Sequence, residues 1–367
     1  VLDLGSYVAG PLAPMILADL GADVIKVEAI EGDPMRRAEW PFMACQRGKR
    51  SIAINLKDPA SAPLLERLVQ WADVVHHNQR PPAARKLGID SDRLLAMNPA
   101  VIYAHVSAYG PDGPRRDWPG YDQLFQAASG WENLGAGVGN PPMWHRFGMM
   151  DHLAALWSVI SVLLALRARE ADGLGRHSDS SLLGASLFTM DAPLRHNGTL
   201  VPTAEIDEQQ WGESPLRRLY ACADGWIAVS APAGAAVGPG LDRLLTVAGT
   251  ENLAELEVRL SQAPCAAGLA LMEAAGLAAV TVRCEGRDTF LDDPEHLASR
   301  LSTQLPHPLY GRLDMPGAMM DFDGFAAPCS TLPPPPLGGH SRAILDELGF
   351  STEDVERWIA QGLVLAA

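Results

Sequence analysis

Five short runs rich in β-branched and apolar residues, Val1–Leu4, Ala22–Val27, Ser51–Asn55, Asp73–Val75 and Val101–Ser107, share the first third of the chain with helical patterns at Leu12–Leu20, Ala60–Ala72 and Asp92–Met97. Strands separated by helices pair in parallel, because a parallel neighbour is reached only by a long crossover. The pattern therefore predicts an α/β fold built on a doubly wound, mostly parallel sheet. Helices are expected at Asp151–Ala168 and Ser180–Met190, the first apolar on nearly every face and so expected to be buried. After a polar, irregular stretch from Gly198 to Gly212, the run Tyr220–Ala231 reads as strand with a turn at Asp224-Gly225, opening a smaller α+β domain. Ala278–Arg283 and Leu313–Phe322 add strand, Pro333–Pro336 is a stiff spacer, and helices at Arg342–Leu348 and Thr352–Gln361 follow it, with packing back on the first domain open to them. The expected divisions are 1–197 for the large domain, 198–325 for linker and small domain, and 326–367 for the C-terminal segment.

The formal net charge of −15 argues against nucleic acid or an anionic membrane as the partner. Its distribution is uneven. Residues 1–100 hold twelve basic and twelve acidic side chains, and all four lysines, Lys26, Lys49, Lys57 and Lys86, lie there. A polyanionic small ligand is expected to find its positive field in that quarter. The five cysteines, Cys45, Cys222, Cys265, Cys284 and Cys329, form no C-x-x-C pair and no framework, which reads as a cytoplasmic chain with reduced thiols and no zinc site. Apolar stretches such as Leu153–Leu166 fall short of the ~20 residues a membrane span needs. The chain opens at Val1, inside a strand and without a start Met, which reads as a trimmed or excised piece.

Common catalytic words are missing or misplaced. Gly135-Ala-Gly-Val-Gly139 has no strand before it, and Asn140-Pro-Pro follows where a dinucleotide fingerprint needs a helix. There is no phosphate loop, no G-x-S-x-G elbow and no H-E-x-x-H. His76 and His77 are neighbours in a strand and point to opposite faces, so a shared metal is not expected.

A series of words in fixed order remains: V-L-D-L-G-S-Y-V-A-G-P from Val1, L-A-D-L-G-A-D-V-I-K-V-E from Leu17, Gly32-Asp-Pro34, and R-G-K-R-S-I-A-I-N-L-K from Arg47. Asn78-Gln-Arg-Pro, Lys86-Leu-Gly, Ser107-Ala-Tyr-Gly-Pro-Asp-Gly-Pro114, Pro119-Gly-Tyr-Asp122 and Phe147-Gly-Met-Met-Asp151 come next. Ala223-Asp-Gly-Trp226, Asp293-Pro294, His307-Pro308 and Leu337-Gly-Gly-His340 close it. Over essentially the whole chain this series resembles the class III CoA-transferase family, also called CaiB/BaiF, of which formyl-CoA transferase is a member. The resemblance implies a Rossmann-like large domain, a smaller domain, a C-terminal segment returning to the large one, and an interlocked-ring homodimer or, on a longer chain, a tandem pseudo-dimer.

It further implies that CoA, a substrate and not a resident cofactor, passes from an acyl-CoA donor to a free carboxylic acid through Asp151, with no metal or redox cofactor. Read from the sequence alone, Asp151 directly precedes the apolar helix and is an N-cap, a place where backbone N–H groups and the helix dipole also favour a carboxylate. By the same resemblance Val8 and Ala9 line the thioester end, Ile54 and Lys57 flank the nucleotide, Asn78, Gln79, Arg80, Lys86 and Leu87 form a second wall, and Tyr121 and Asp122 stand beside Asp151. Two departures from formyl-CoA transferase stand out. Val8 replaces a glutamine, and the glycine run that closes over the intermediates is reduced to Gly212 within Gln209–Pro215. Trp131, Trp211 and Gly212, with Arg146, are candidates for the acceptor pocket; together with Trp144 and Trp157 they suggest an aromatic enclosure for an onium-bearing acid. Two alternatives stay open: a CoA-thioester racemase or isomerase of the same fold, and a non-catalytic acyl-CoA-binding homologue. Racemases of this fold carry a histidine where Tyr121 stands, and tyrosine is a weak base at neutral pH.

Overall fold

The computed structural model describes the chain apart from residues 39, 191–194, 201–203, 233–236, 284–287, 318–319, 321–322, 324–330 and 367. Cys284, Cys329, the 325/326 boundary and the end of the Leu313–Phe322 run lie outside the described residues. The chain forms two units, one from Val1–Phe125, Phe147–Thr189 and Phe290–Ala367, the other from Gln126–Arg146 and Met190–Thr289.

The first unit is organised by a parallel sheet of β1 (Leu2–Asp3), β2 (Val24–Glu28), β3 (Lys49–Ile54), β4 (Val74–His77), β5 (Ile102–Ser107) and β6 (Arg176–Ser181), in the spatial order 3-2-1-4-5-6. Helices α1 (Ala9–Asp19), α2 (Ala62–Trp71), α3 (Pro81–Leu87) and α4 (Ser91–Met97) make the crossovers. The inner strands are buried on both faces, with Lys26 and Glu28 of β2 and His105 and Ser107 of β5 interrupting their apolar residues. One core sets Ile25, Ile52 and Val75 against Leu64, Leu68 and Val69 of α2. A second core sets Val74, Ile102 and Ala104 against Ile16 and Leu17 of α1 and Val159 and Val162 of α6 (Met149–Asp172). Before α6 comes α5 (Asp122–Ser129), and after β6 comes α7 (Leu182–Thr189).

Strand β6 was not expected. Its sequence, R-H-S-D-S-S, has no strand propensity, and its pairing with β5 from Ile102↔Arg176 to Ser107↔Ser181 makes it a strand. The expected helix at Ser180–Met190 is shortened to α7 as a result. Helix α6 also departs from expectation. It runs 24 residues, longer than Leu153–Leu166, and by length and composition alone is capable of spanning a bilayer. One face, with Met150, Ala154, Ala155, Ser158, Val159, Val162 and Ala165, is buried, while Leu156, Trp157, Ile160, Leu163 and Leu164 are exposed, Leu164 at 65%. Apolarity all round thus does not bury it all round.

Beyond a hairpin of Ser302–His307 with Gly311–Pro316, the chain passes to helices Ser341–Glu347 and Thr352–Ala360, and a strand, Val364–Leu365, joins β3 antiparallel through Val364↔Ile54. Leu337-Gly-Gly-His340 lies along β3: the His340 N–H donates to Ser51 O (3.0 Å), the Gly338 N–H to Ser51 Oγ (3.0 Å), and His340 Nδ1 accepts from Ser51 N (3.2 Å).

In the second unit, strands β7 (Gly212–Ser214), β8 (Arg217–Cys222), β9 (Gly225–Ser230) and β10 (Ala278–Thr281) form an antiparallel sheet in sequential order, with β8 and β9 turning at Asp224-Gly225. Tyr220 and Ile227 pack with Leu244, Leu256, Leu260 and Met272 from its helices. Residues 126–146 belong here and not, as the sequence division had it, to the large domain. Backbone and side-chain bonds tie them to the segment after residue 204: Val138 N–H to Ile206 O (2.9 Å), Asn140 Nδ2 to Glu208 O (2.7 Å) and Gln210 Nε2 to Ala136 O (2.8 Å). The glycine run earns its composition here. Gly137 has φ +81°, and a Cβ there would lie 2.2 Å from Asp207 O, so only glycine fits.

Candidate active site

Strand order reverses between β1 and β4, so the loops leaving their C-terminal ends run to opposite sides and open a crevice, the usual ligand site of such sheets. Asn78 joins the two loops across that point. Its Nδ2 donates to Ser6 O (2.9 Å) and its Oδ1 accepts from Ser6 N (2.9 Å). A cavity of about 870 Å³ lies beside them, walled by Tyr7, Glu28, Asp33, Ile54, Lys57, Gln79 and Leu87 among others. Of the residues expected to meet CoA, Ile54, Lys57, Gln79 and Leu87 are in this wall, whereas Val8, Ala9, Asn78, Arg80 and Lys86 are not. Val8 and Arg80 are the N-cap residues of α1 and α3, and Lys86 is exposed in the last turn of α3.

The expected field of four lysines is not there. Lys26 and Lys49 are fully buried beneath the β1–α1 loop. Lys49 Nζ donates to Asp3 Oδ2 (2.7 Å), Pro11 O (2.7 Å) and Gln46 Oε1 (2.8 Å), while Lys26 Nζ donates to Gly5 O (2.9 Å) and pairs with Asp33 (3.1 Å). Burial pushes the Lys49 ammonium down to about 8, against the pull of Asp3. Burial also disfavours charge on Lys26, but Asp3, Asp33 and Glu28 outweigh it and hold that ammonium above its ordinary value. These lysines shape the loop from below; of the four, Lys57 and the buried, Asp33-paired Lys26 line the cavity, and Lys49 and Lys86 do not. Arg47 of the same basic word is likewise buried, on Asp19 (2.5 Å) and the carbonyl of Gly317 (3.1 Å).

Tyr7 leads from the cavity to the carboxylates. It has φ +62°, a costly conformation for a bulky side chain, and stands edge-on to Tyr121 with ring centroids 6.0 Å apart. Next to Tyr121, Asp122 is buried, and its Oδ2 accepts the backbone N–H of Asp151 at 2.8 Å. Asp151 is therefore not the N-cap. That position is Gly148, which has no side chain to offer; Asp151 is the third residue of α6, and Asp122, from another helix, takes the N–H that an N-cap side chain would take. Burial, and then the like charge of Asp122, push the Asp151 carboxyl up to about 7. A Cβ at Gly148 would sit 3.6 Å from Asp122 Oδ2 and 3.7 Å from Asp151 Oδ2, so the glycine borders both carboxyls and puts no side chain against them. The sequence contained Gly148 in Phe147-Gly-Met-Met-Asp151 but not its role, and nothing in it marked Tyr7.

The expected acceptor-pocket residues all fall in the second unit. Trp131 is edge-on to His145 (6.3 Å), Arg146 is exposed, and Trp211 is edge-on to Trp226 (5.6 Å) with the Arg218 guanidinium over its ring (5.2 Å). Gly212 begins β7, where a Cβ would meet Arg217 O at 2.2 Å, so its glycine is required by strand packing. Trp157, in the first unit, packs on Phe188 (5.1 Å). Trp131, Trp157 and Trp211 thus each pack on an aromatic ring of their own, and Trp144 of the expected enclosure is 72% exposed. Among the described residues no group of three or more His, Cys, Asp or Glu is arranged to hold a metal ion.

The model of CoA-transferase family III matches residues 1–341. The chain belongs to CoA-transferase family III. This family III chain is 27% identical to succinyl-CoA:glutarate CoA-transferase of Mus musculus, with 99% of this chain and 89% of the relative covered. It is 36% identical to succinate–glutarate CoA-transferase of Agrobacterium fabrum over 50% of this chain and 50% of the relative. The match thus spans about half the length of that curated relative. A CaiB/BaiF family protein from Brucella suis superposes with a TM-score of 0.79 at 26% identity, covering 95% of this chain and 97% of that one.

Proposed function

We propose that this family III chain transfers CoA between carboxylic acids, with Asp151 as the nucleophile. The observation that carries the reading is the Asp151 carboxyl at the first turn of α6, fixed through its backbone by Asp122, bordered by Gly148 and raised to about 7. A carboxylate of that basicity is a better nucleophile than an ordinary aspartate and is still ionised in a large fraction at neutral pH.

In the proposed sequence an Asp151 oxygen attacks the thioester carbonyl of the donor, the C–S bond breaks, CoA leaves as thiolate, and a mixed anhydride remains. The thiolate attacks the Asp151 carbonyl of that anhydride, releasing the donor acid as carboxylate and leaving an aspartyl-CoA thioester. The acceptor carboxylate attacks this thioester and the same two steps run in reverse, freeing Asp151 and forming the new acyl-CoA. N–H groups at the start of α6 oppose the negative charge that develops on the carbonyl oxygens.

The cavity at the crevice is the proposed nucleotide site, with Lys57 as a phosphate contact. Dicarboxylic acids such as succinate and glutarate, named for the relatives above, are the first acceptors to assay. The chain is proposed to work as a dimer closed over the bare apolar face of α6. Incubation with an acyl-CoA followed by hydroxylamine is expected to convert Asp151 to its hydroxamate, seen as a mass change on one peptide. Asp151→Asn is expected to lose the label and several orders of magnitude of transfer. Full exchange by the Asn variant, or a label elsewhere, removes Asp151 from the mechanism.

A further inference from the structure

Gln79 lines the cavity, yet it sits in a stretch without regular structure just past β4. Both of its peptide groups are held by buried imidazoles. The Gln79 N–H donates to His77 Nδ1 (3.1 Å), and the Gln79 carbonyl lies 3.0 Å from His105 Nε2. A carbonyl only accepts, so the His105 Nε2 must carry a proton. Nδ1 of the same ring is 2.7 Å from Asp179 Oδ2, and Asp179 Oδ1 accepts from Ser107 Oγ at 2.7 Å. His77 accepts at Nδ1, which leaves Nε2–H to donate to Tyr103 Oη at 2.7 Å. The ladders of β4, β5 and β6 are complete without any of these side-chain bonds.

We infer that His105, seated on Asp179, is a positioning residue that sets the height of the Gln79 wall and thereby the affinity of the crevice for the CoA thioester. The inference rests on the transferase reading above. Asp179 and Ser107 orient the imidazole from β6 and β5, the imidazole fixes the Gln79 carbonyl, and Asn78, one residue earlier, ties the same loop to Ser6 of the opposite wall. Losing the bond from His105 leaves the part-buried Gln79 carbonyl without its imidazole donor and lets the wall shift. Asp151 is held by Asp122 and α6, which this chain of contacts does not include.

The test compares wild type, His105→Ala and His105→Gln by steady-state kinetics, by calorimetric titration with CoA itself and by thermal melting. His105→Ala is expected to raise KM for the thioester and Kd for CoA about tenfold, the worth of one hydrogen bond, with kcat at saturation within about twofold. Glutamine places an amide N–H where Nε2 stood and is expected to recover most of the loss. Equal KM in all three proteins, or a fall in kcat that accompanies KM and is not rescued by glutamine, overturns the positioning role. Should His105→Ala fail to fold, Ser107→Ala, which removes the hydroxyl bond to Asp179 together with those to Ser180 O and the Gly110 N–H, is expected to shift Kd in the same direction by a smaller factor, and an unchanged Kd overturns the inference. Wild type that binds no CoA overturns the transferase reading and this inference with it; wild type that binds while the variants match it overturns the inference alone.

Discussion

In the proposed mechanism two neighbouring carboxylates take different roles by position. Asp122 is buried and spends an oxygen on the Asp151 backbone N–H, whereas Asp151, on the first turn of α6 beside Gly148, is only partly buried. Because burial and then Asp122 raise Asp151 to about 7, the reactive carboxylate form accumulates as pH rises, and kcat/KM for the donor is expected to climb through about pH 7 to a plateau. Asp122→Asn keeps an oxygen for the Asp151 N–H and removes the like charge. The acid limb is then expected to move to lower pH while staying above the ordinary carboxyl range, since burial is the larger cause. A pH–rate profile of the variant that overlays wild type refutes the coupling. The place of Asp151 near the start of a helix was readable from the apolar run that follows it. That Asp122 would serve as its surrogate cap was not, because the bond spans 29 residues. The burial of Lys26 and Lys49 was unreadable for the same reason: the shared partner, Asp3, lies on β1, one strand from Lys26 and two from Lys49.

Among the elements, α6 is the one whose sequence misleads. Its small residues face the sheet and its large ones face outward, with Trp157 and Phe188 forming an apolar edge with α7. Exposed apolar surfaces of this kind mark places where another apolar surface is met, and the proposed dimer supplies one. On the proposed dimer, Leu164→Glu combined with Ile160→Glu is expected to shift sedimentation toward a 39 kDa species or to cost solubility, without changing the helix content. Unaltered sedimentation of a dimeric double variant places the contact elsewhere. The strands followed the opposite logic. Strands β2 to β5 announced themselves by β-branched residues, while β6, polar throughout, exists because β5 offers it six paired positions. Local propensity reads the first kind and cannot read the second.

At the scale of the whole molecule, neither unit is one continuous stretch of chain. The parallel sheet and the hairpin at Asp224-Gly225 were legible, but the assignment of residues 126–146 to the second unit was not, since it depends on bonds to residues after 204. The C-terminal segment puts Ile344, Leu345, Val355, Trp358, Leu363 and Val364 into the core of the first unit. At about 1.5–3 kcal/mol for each buried apolar side chain, their loss is comparable to the entire stability of a typical domain, ~5–15 kcal/mol. Truncation after Pro336 is therefore expected to abolish cooperative melting and to yield a dye-binding, aggregation-prone product. A truncated chain that melts cooperatively near the wild-type temperature shows that the segment is dispensable.

The antiparallel pairing of Val364 with Ile54 has a consequence in time. A ribosome adding ~5–20 residues per second needs on the order of 15–60 s to get from one of these residues to the other. Once β6 has been made, and for the rest of that interval, β3 is the bare edge of a parallel sheet whose strands are all available, with the apolar surface meant for the last two helices open to water. The nascent chain is then a client for holding factors, and slow codons late in the message lengthen its exposure. Aggregation during expression is thus expected to scale with the duration of synthesis and not with the stability of the finished fold.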